Sequence, residues 1–326
     1  MGLNTEASAA LVFLILYAIL FVILILGHIT GRLRLRSRYS IITFHVAIRL
    51  ASQATGLAFG IVGYEATDLL VAYFILGAEG YFTLVLCTYR FLISWHYHNL
   101  ESHDSWLEPR DPPGTPWYKP FIESLTLFGK KRRPMAVLHY LLIAANAIII
   151  SGGSQLAGGS KSVKDFNSSL LQAKIMRVVG QSIFLAINSF LLFCIFDALR
   201  QYKTEHQSRK GHPTLYVLLA TWPLLFIRGL YGILSGVIPA LNYFNPDNYG
   251  EHGLTNSFVI SEYILSTTTE WASCALLMLT YLTSRNDPSK LPLKEWTDAG
   301  KEVAQDKGAA ETGEKGHTGS RPDISI

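Results

Sequence analysis

The chain has 326 residues; 49% are hydrophobic, only 16% are charged, mean hydropathy is +0.26 and the formal net charge is +4. Soluble domains carry about 25% charged residues, so a deficit over a chain this long points to a membrane protein and excludes a disordered or collagen-like one. The three cysteines, Cys87, Cys194 and Cys274, each lie in an apolar run; they are too few and odd in number for a disulfide scaffold and act as small hydrophobes.

A bilayer core about 30 Å thick needs about 20 mostly apolar residues of helix. Seven stretches qualify: 9–29, 41–63, 69–93, 135–152, 175–199, 215–238 and 258–283. The first is the strongest, with no basic residue before it and no clear small-residue cleavage site after it. It reads as a spanning helix rather than a removed signal peptide. The second is the least apolar and carries His45, Arg49 and Gln53. The third holds Glu79 near its middle.

Residues 94–134 form the longest connection. His96, His98 and His103 beside Asp104 do not have the spacing of a membrane histidine box, so no metal is expected. Further on, Phe121, Ile122, Leu125 and Phe128 share one helical face just before the Lys130, Lys131, Arg132, Arg133 cluster. That pattern suits a helix lying in the membrane interface, or simply a basic stop signal.

The fourth run is the shortest. After it, Asn167-Ser168-Ser169 is a glycosylation sequon. Arg177 lies close to the edge of the fifth run and is expected to snorkel outward. In the sixth, Pro223 after Trp222 should bend the helix; Arg228, Gly229, Gly232 and Gly236 follow. Asn245-Pro246-Asp247-Asn248-Tyr249 mimics the NPxxY pattern of rhodopsin-like receptors but falls between spans. The seventh run carries Glu262, Glu270 and Trp271 and has no lysine, which excludes a retinal Schiff base there. Residues 285–326 hold few large apolar side chains and read as a disordered tail, leaving residues 1–284 as one transmembrane domain.

Lysine and arginine orient the bundle. The connections after runs one, three and five and the tail hold 21 of them; the opposite side holds three, Lys161, Lys164 and Lys174. By the positive-inside rule the N-terminus is lumenal and the C-terminus cytosolic. The expectation is an all-α, seven-helix membrane bundle, in the endoplasmic reticulum.

Ionisable groups inside a span are costly, so they face the bundle interior and mark candidate sites. Glu79, Glu262 and Glu270 are the candidate catalytic carboxylates, with Glu270 first for its depth and its neighbour Trp271. Arg49, Arg228 and Trp271 are candidate substrate-binding or ion-pairing residues. The bland alternative is a set of structural pairs, Arg228 with Glu262 and Arg49 with Glu270 or Glu79. No phosphate-binding loop, dinucleotide fingerprint or aspartate-rich prenyl-diphosphate motif is present, and the basic clusters hug the membrane, so neither a cofactor nor a nucleic acid is expected.

The arginine-rich segment after the first run, Tyr64-Glu65-Ala66, Phe226-Ile227-Arg228-Gly229-Leu230-Tyr231 and Ser261-Glu262-Tyr263 give residues 9–284 a plan that resembles fungal seven-helix integral membrane proteins. Two groups share it. In lipid-translocating exporters an arginine on the sixth helix is followed shortly by a glutamate, whereas Gly229-Leu230-Tyr231-Gly232 follows Arg228. The small membrane-bound terpene cyclases of fungal meroterpenoid pathways, of the ascochlorin and ascofuranone type, use intramembrane acids on an epoxide or alkene. That resemblance implies a cofactor-free cyclase with a lipophilic prenylated substrate and membrane lipid as partners. The alternative is an exporter or sensor in which the same charges form a gate.

Overall fold

A computed structural model describes residues 4–35, 37–109, 133–154, 163–207, 210–243, 245–250, 253–285 and 287. The apolar runs form seven long helices: α1 Thr5–Ile29, α2 Arg38–Val62, α3 Thr67–Asn99, α4 Pro134–Ser154, α5 Val163–Glu205, α6 Pro213–Val237 and α7 over residues 256–283. The proposed interface helix around 121–128 lies outside the described residues. α3 and α5 run past the apolar stretches that announce them, because a helix continues beyond the membrane while its residues favour it.

Local signals start and stop these helices. The Asn4 side chain accepts from the Ala7 N–H at 2.7 Å and caps α1. Pro213 opens α6 behind His212, whose Nδ1 accepts from the Thr214 N–H at 3.3 Å. α6 continues through Pro223, with Trp222 donating its ring N–H to the Asn188 carbonyl at 2.8 Å. The chain leaves α1 through Gly31 at φ +71°, a conformation that favours glycine.

α1 shows what surrounds the bundle. Ala7, Ala10, Tyr17, Leu20 and Leu24 face inward, yet the outward face is Val12, Ile15, Ile19, Val22 and Leu26. A soluble surface helix would be polar there; an apolar outer face fits lipid. Among the described residues five helices, α1, α3, α4, α5 and α6, are long and apolar enough to cross a membrane. α2 falls outside that set through its composition, and α7 because a π-helical stretch splits it. In both the polar side chains point inward: His45, Arg49, Ser52 and Gln53 on α2, and Glu262, Thr267, Glu270 and Ser273 on α7 are all buried.

α3 is the axis, packing against α2, α4, α5, α6 and α7, while neighbours in sequence pack side by side and α7 touches α1. Tyr81, Leu84, Tyr89, Phe91 and Trp95 of α3 are fully buried in the main apolar core. α7 is α-helical over Asn256–Glu262, π-helical over Tyr263–Thr268 and α-helical again over Thr269–Thr283. The Thr268 hydroxyl donates to the Tyr263 carbonyl at 2.7 Å across the wide turn. Such wide turns accommodate an extra residue and recur at functional sites.

The described residues between α6 and α7 form a cap. Two short 3₁₀ turns, Pro239–Leu241 and Pro246–Asn248, lead into a small hairpin pairing Tyr249 with Leu254 and Gly250 with Gly253. The Asn248 side-chain amide ties it together by donating to the Pro239 and Asn242 carbonyls, both at 2.8 Å.

The tail reading needs one correction at its start. Asp287 is packed rather than free, accepting from the Asn99 amide at 3.1 Å and lying 3.0 Å from His212 Nε2. Residues 288–326 lie outside the described residues.

A candidate site among buried charges

Glu270 is fully buried and stands between two arginines. Arg228 of α6 donates from Nε to Oε1 at 2.5 Å, and Nε of Arg49 on α2 lies 3.0 Å from Oε2, close but off the hydrogen-bond axis. Three helices are thereby joined through one carboxylate. Each guanidinium also faces an aromatic ring: Arg49 lies 5.8 Å from the Tyr17 centroid, and Arg228 5.3 Å from that of Tyr81. Tyr81 is itself fixed by donating to the Leu225 carbonyl at 3.0 Å.

Gly80 makes room for this cluster on α3. A Cβ there would fall 2.9 Å from Arg49 Cδ and 3.0 Å from Glu270 Oε2. The axis helix can therefore lie against the ion cluster only with no side chain at that position. His45 completes the wall, with Nδ1 2.8 Å from the Thr83 hydroxyl and its other ring nitrogen buried without a partner among the described residues.

Glu262 has different company. It accepts from the Tyr73 hydroxyl of α3 at 2.8 Å, and Tyr243 of the cap supplies a second hydrogen bond. The Tyr263 hydroxyl donates to Gln53 Oε1 at 3.2 Å, and Phe13 of α1 packs 5.5 Å from the Tyr263 ring. Arg177 of α5 turns inward here: its Nε donates to the Ser235 hydroxyl at 3.0 Å, and its guanidinium lies 5.0 Å from the Tyr243 ring. Glu6, buried at the start of α1, accepts weakly from the Leu254 N–H at 3.5 Å.

The two carboxylates are eight residues apart on α7. On an unbroken α-helix that separation leaves them about 80° apart around the axis. One residue absorbed by the π stretch removes about 100° and brings them within about 20° of one face. Both then point into the bundle, and Arg228 is within electrostatic reach of each.

Of the residues expected from the sequence, Glu270, Arg49 and Arg228 come together. Arg228 joins Glu270 rather than Glu262. Glu79 is half-buried on the α4 side of α3, accepting from the Asn146 amide at 2.5 Å. Trp271 packs at the edge of the main core with its ring N–H buried and unpaired among the described residues. Asn167 falls in the helix α5 rather than in a loop, and its side chain lies outside what the structure describes. Arg177, expected to snorkel outward, instead joins the Tyr243 side of the interior.

Sequence reasoning missed Tyr73, Tyr243 and Gly80. Gln53 was legible, since it follows His45 and Arg49 at steps of four and so shares their face. Tyr243 carried no signal, because nothing in the 239–255 segment announces that it folds back over the bundle. Among the described residues no cluster of three His, Cys, Asp or Glu is arranged to hold a metal ion.

No known protein family matches the chain, and no curated protein or solved structure is detectably similar to it.

Proposed function

We propose that the chain is a seven-span protein of the endoplasmic reticulum membrane, N-terminus lumenal, that cyclises a prenylated, epoxidised lipophilic substrate by acid catalysis. The observation that carries the reading is Glu262 set among Tyr73, Tyr243 and Tyr263. A buried carboxyl linked to phenols suits proton delivery to a substrate that itself comes from the lipid.

In this reading Glu262 gives its proton to the epoxide oxygen as the C–O bond breaks. An alkene of the same molecule then attacks the electron-poor carbon, and the tyrosine faces stabilise the cation that moves along the chain. A final C–H proton returns to the Glu262 carboxylate. The product is an isomer of the substrate, so no redox partner is needed. Glu270, the first choice from sequence, becomes the counter-ion of Arg49 and Arg228 and holds α2, α6 and α7 in register.

The seven-span count is supported by length: α2 at 25 residues and α7 at about 28 each exceed the roughly 20 needed to cross. The strong lysine and arginine bias supports the orientation. A tag after Ile326 is expected to be digested by protease added outside intact microsomes; a protected tag would reverse the orientation.

The chemistry is tested by expressing the protein in a heterologous fungus supplied with prenylated epoxides and analysing the products. Glu262→Gln should reach normal levels in the membrane while turnover drops about 10²–10⁴-fold, the usual contribution of general acid catalysis. Full turnover in Glu262→Gln would sink the assignment. The exporter or sensor alternative draws on the Glu270 cluster, since an ion bridge across three helices could open as a gate; it requires lipid movement, and no isomerised product.

A further inference from the structure

At the opposite end of the bundle from the cap, a cleft of about 450 Å³ opens between the C-terminal parts of α1 and α7. Its size falls in the range of about 300–1,000 Å³ usual for ligand sites. The walls are Ile23 and Leu24 of α1, Leu33 of the turn, and Tyr39 and Met278 across from them, all apolar or aromatic. Arg32 stands at the rim.

The rim is built rather than loose. After α1 the chain turns back at Gly31, so that the Leu33 N–H donates to the Gly27 carbonyl at 2.9 Å. Leu33 then covers Gly27, where a Cβ would fall 2.7 Å from its Cδ1. His28 braces the turn, with Nδ1 3.1 Å from the Leu33 carbonyl and Nε2 3.1 Å from the Thr43 hydroxyl of α2. The Thr30 hydroxyl is spent on the Leu26 carbonyl at 2.7 Å, and Arg32 is the charged group that a ligand would meet.

The neighbouring Arg38 is engaged, donating to the Ser284 hydroxyl at 2.6 Å and lying 4.8 Å from the Phe91 ring centroid. Arg32 is exposed and forms no ion pair with a described residue. A slot lined by aliphatic side chains, with one uncommitted guanidinium at its mouth and at the level where helices leave the membrane, matches a molecule with a hydrocarbon chain and an anionic head.

We infer that this cleft binds an anionic phospholipid, one acyl chain between α1 and α7 and the phosphate on Arg32. The site lies on the arginine-rich side of the bundle, the side that faces the more anionic leaflet if the proposed orientation holds. It shares no residue with the Glu262 and Glu270 clusters, so its test is independent of the cyclase reading.

The experiment uses the full-length protein in nanodiscs containing equal amounts of phosphatidic acid and phosphatidylcholine, with the retained lipid identified by native mass spectrometry. Phosphatidic acid is expected to be retained preferentially. Arg32→Gln should lower that preference about fivefold, the equivalent of roughly 1 kcal/mol for one basic side chain at a membrane surface. Arg34→Gln, an exposed arginine that does not line the cleft, should leave it unchanged. Ile23→Trp, a change on an exposed side chain, should fill the slot and reduce retention of both lipids; Met278→Trp does the same from the other wall. Equal retention of the two lipids, a preference indifferent to Arg32→Gln, or retention indifferent to both tryptophan variants would each overturn the proposal.

Discussion

Glu262 and Glu270 sit on one helix, are both buried, and are neutralised in opposite ways. Glu270 meets two full positive charges on α2 and α6. Glu262 meets phenols, and the nearest guanidiniums act on it only through space. The contrast teaches that a buried acid is defined by what faces it. The first arrangement is a structural rivet, strong because removing the carboxylate strands two cations. The second sets a carboxyl among phenols, groups that can pass a proton, and it is the arrangement on which the proposed chemistry draws.

The largest expected effect breaks the rivet. Glu270→Gln leaves Arg49 and Arg228 buried without a counter-charge, a loss of about 3–5 kcal/mol. Steady-state abundance and thermal stability in detergent should both collapse. A Glu270→Gln protein that accumulates and melts like the parent would show that the cluster is not what joins α2, α6 and α7.

A carboxylate outside the spans calibrates the comparison. Burial pushes the Asp287 carboxyl up, but hydrogen bonds from His212 and Asn99 outweigh it and hold the group below the ordinary carboxylate range. Its stabilising contribution is therefore present at neutral pH and fades as pH falls through that depressed value. Asp287→Asn should cost about 1.5–3 kcal/mol at pH 7. It should also flatten the loss of stability on acidification, read by thermal unfolding at pH 7 and pH 3. An unchanged acid profile would mean that the contact contributes nothing.

Gly80→Ala tests the seating of the rivet against α3. The added methyl meets Arg49 and Glu270, and overpacking of this kind costs about 1–3 kcal/mol. Gly77→Ala is the control, because its Cβ would find only Arg49 Nη1, at 3.9 Å. Equal melting temperatures for the two variants would remove the steric argument.

Tyr73→Phe is the smallest change, deleting one hydrogen bond to Glu262. The expected stability loss is about 0.5–1.5 kcal/mol. If Glu262 is the proton donor, turnover should shift its pH dependence while the protein remains abundant. A Tyr73→Phe variant with an unaltered pH profile would detach the phenol from the proposed chemistry.

The helices were legible because seven apolar runs separated by polar, Pro- and Gly-containing segments leave few alternatives. The intramembrane charges were legible as a set, since lipid tolerates none of them on its own side. Their pairing was not: Arg228 has a carboxylate on α7 at either 262 or 270, and the choice depends on helix phase. The π stretch changes that phase, and Tyr263-Ile264-Leu265-Ser266-Thr267-Thr268 carries no pattern that marks a wide turn. Tyr243 was hidden for a related reason. Its segment reads as an exposed loop, yet the hydrogen bonds of Asn248, the bond of Tyr243 to Glu262 and its packing on Phe258, 4.8 Å between centroids, fold it inward.

The wide turn in α7 also bears on how such an interior could arise. Seven residues of ordinary α-helix turn through about 700°, the same phase that eight residues reach here across the wide turn. Shortening residues 263–268 by one would therefore restore an ordinary helix and leave Glu270 with its arginines and Glu262 with its tyrosines. A single codon gained or lost in this stretch is absorbed by the turn, and the interior keeps both acids. The length of this helix can drift where the phase of its acids cannot.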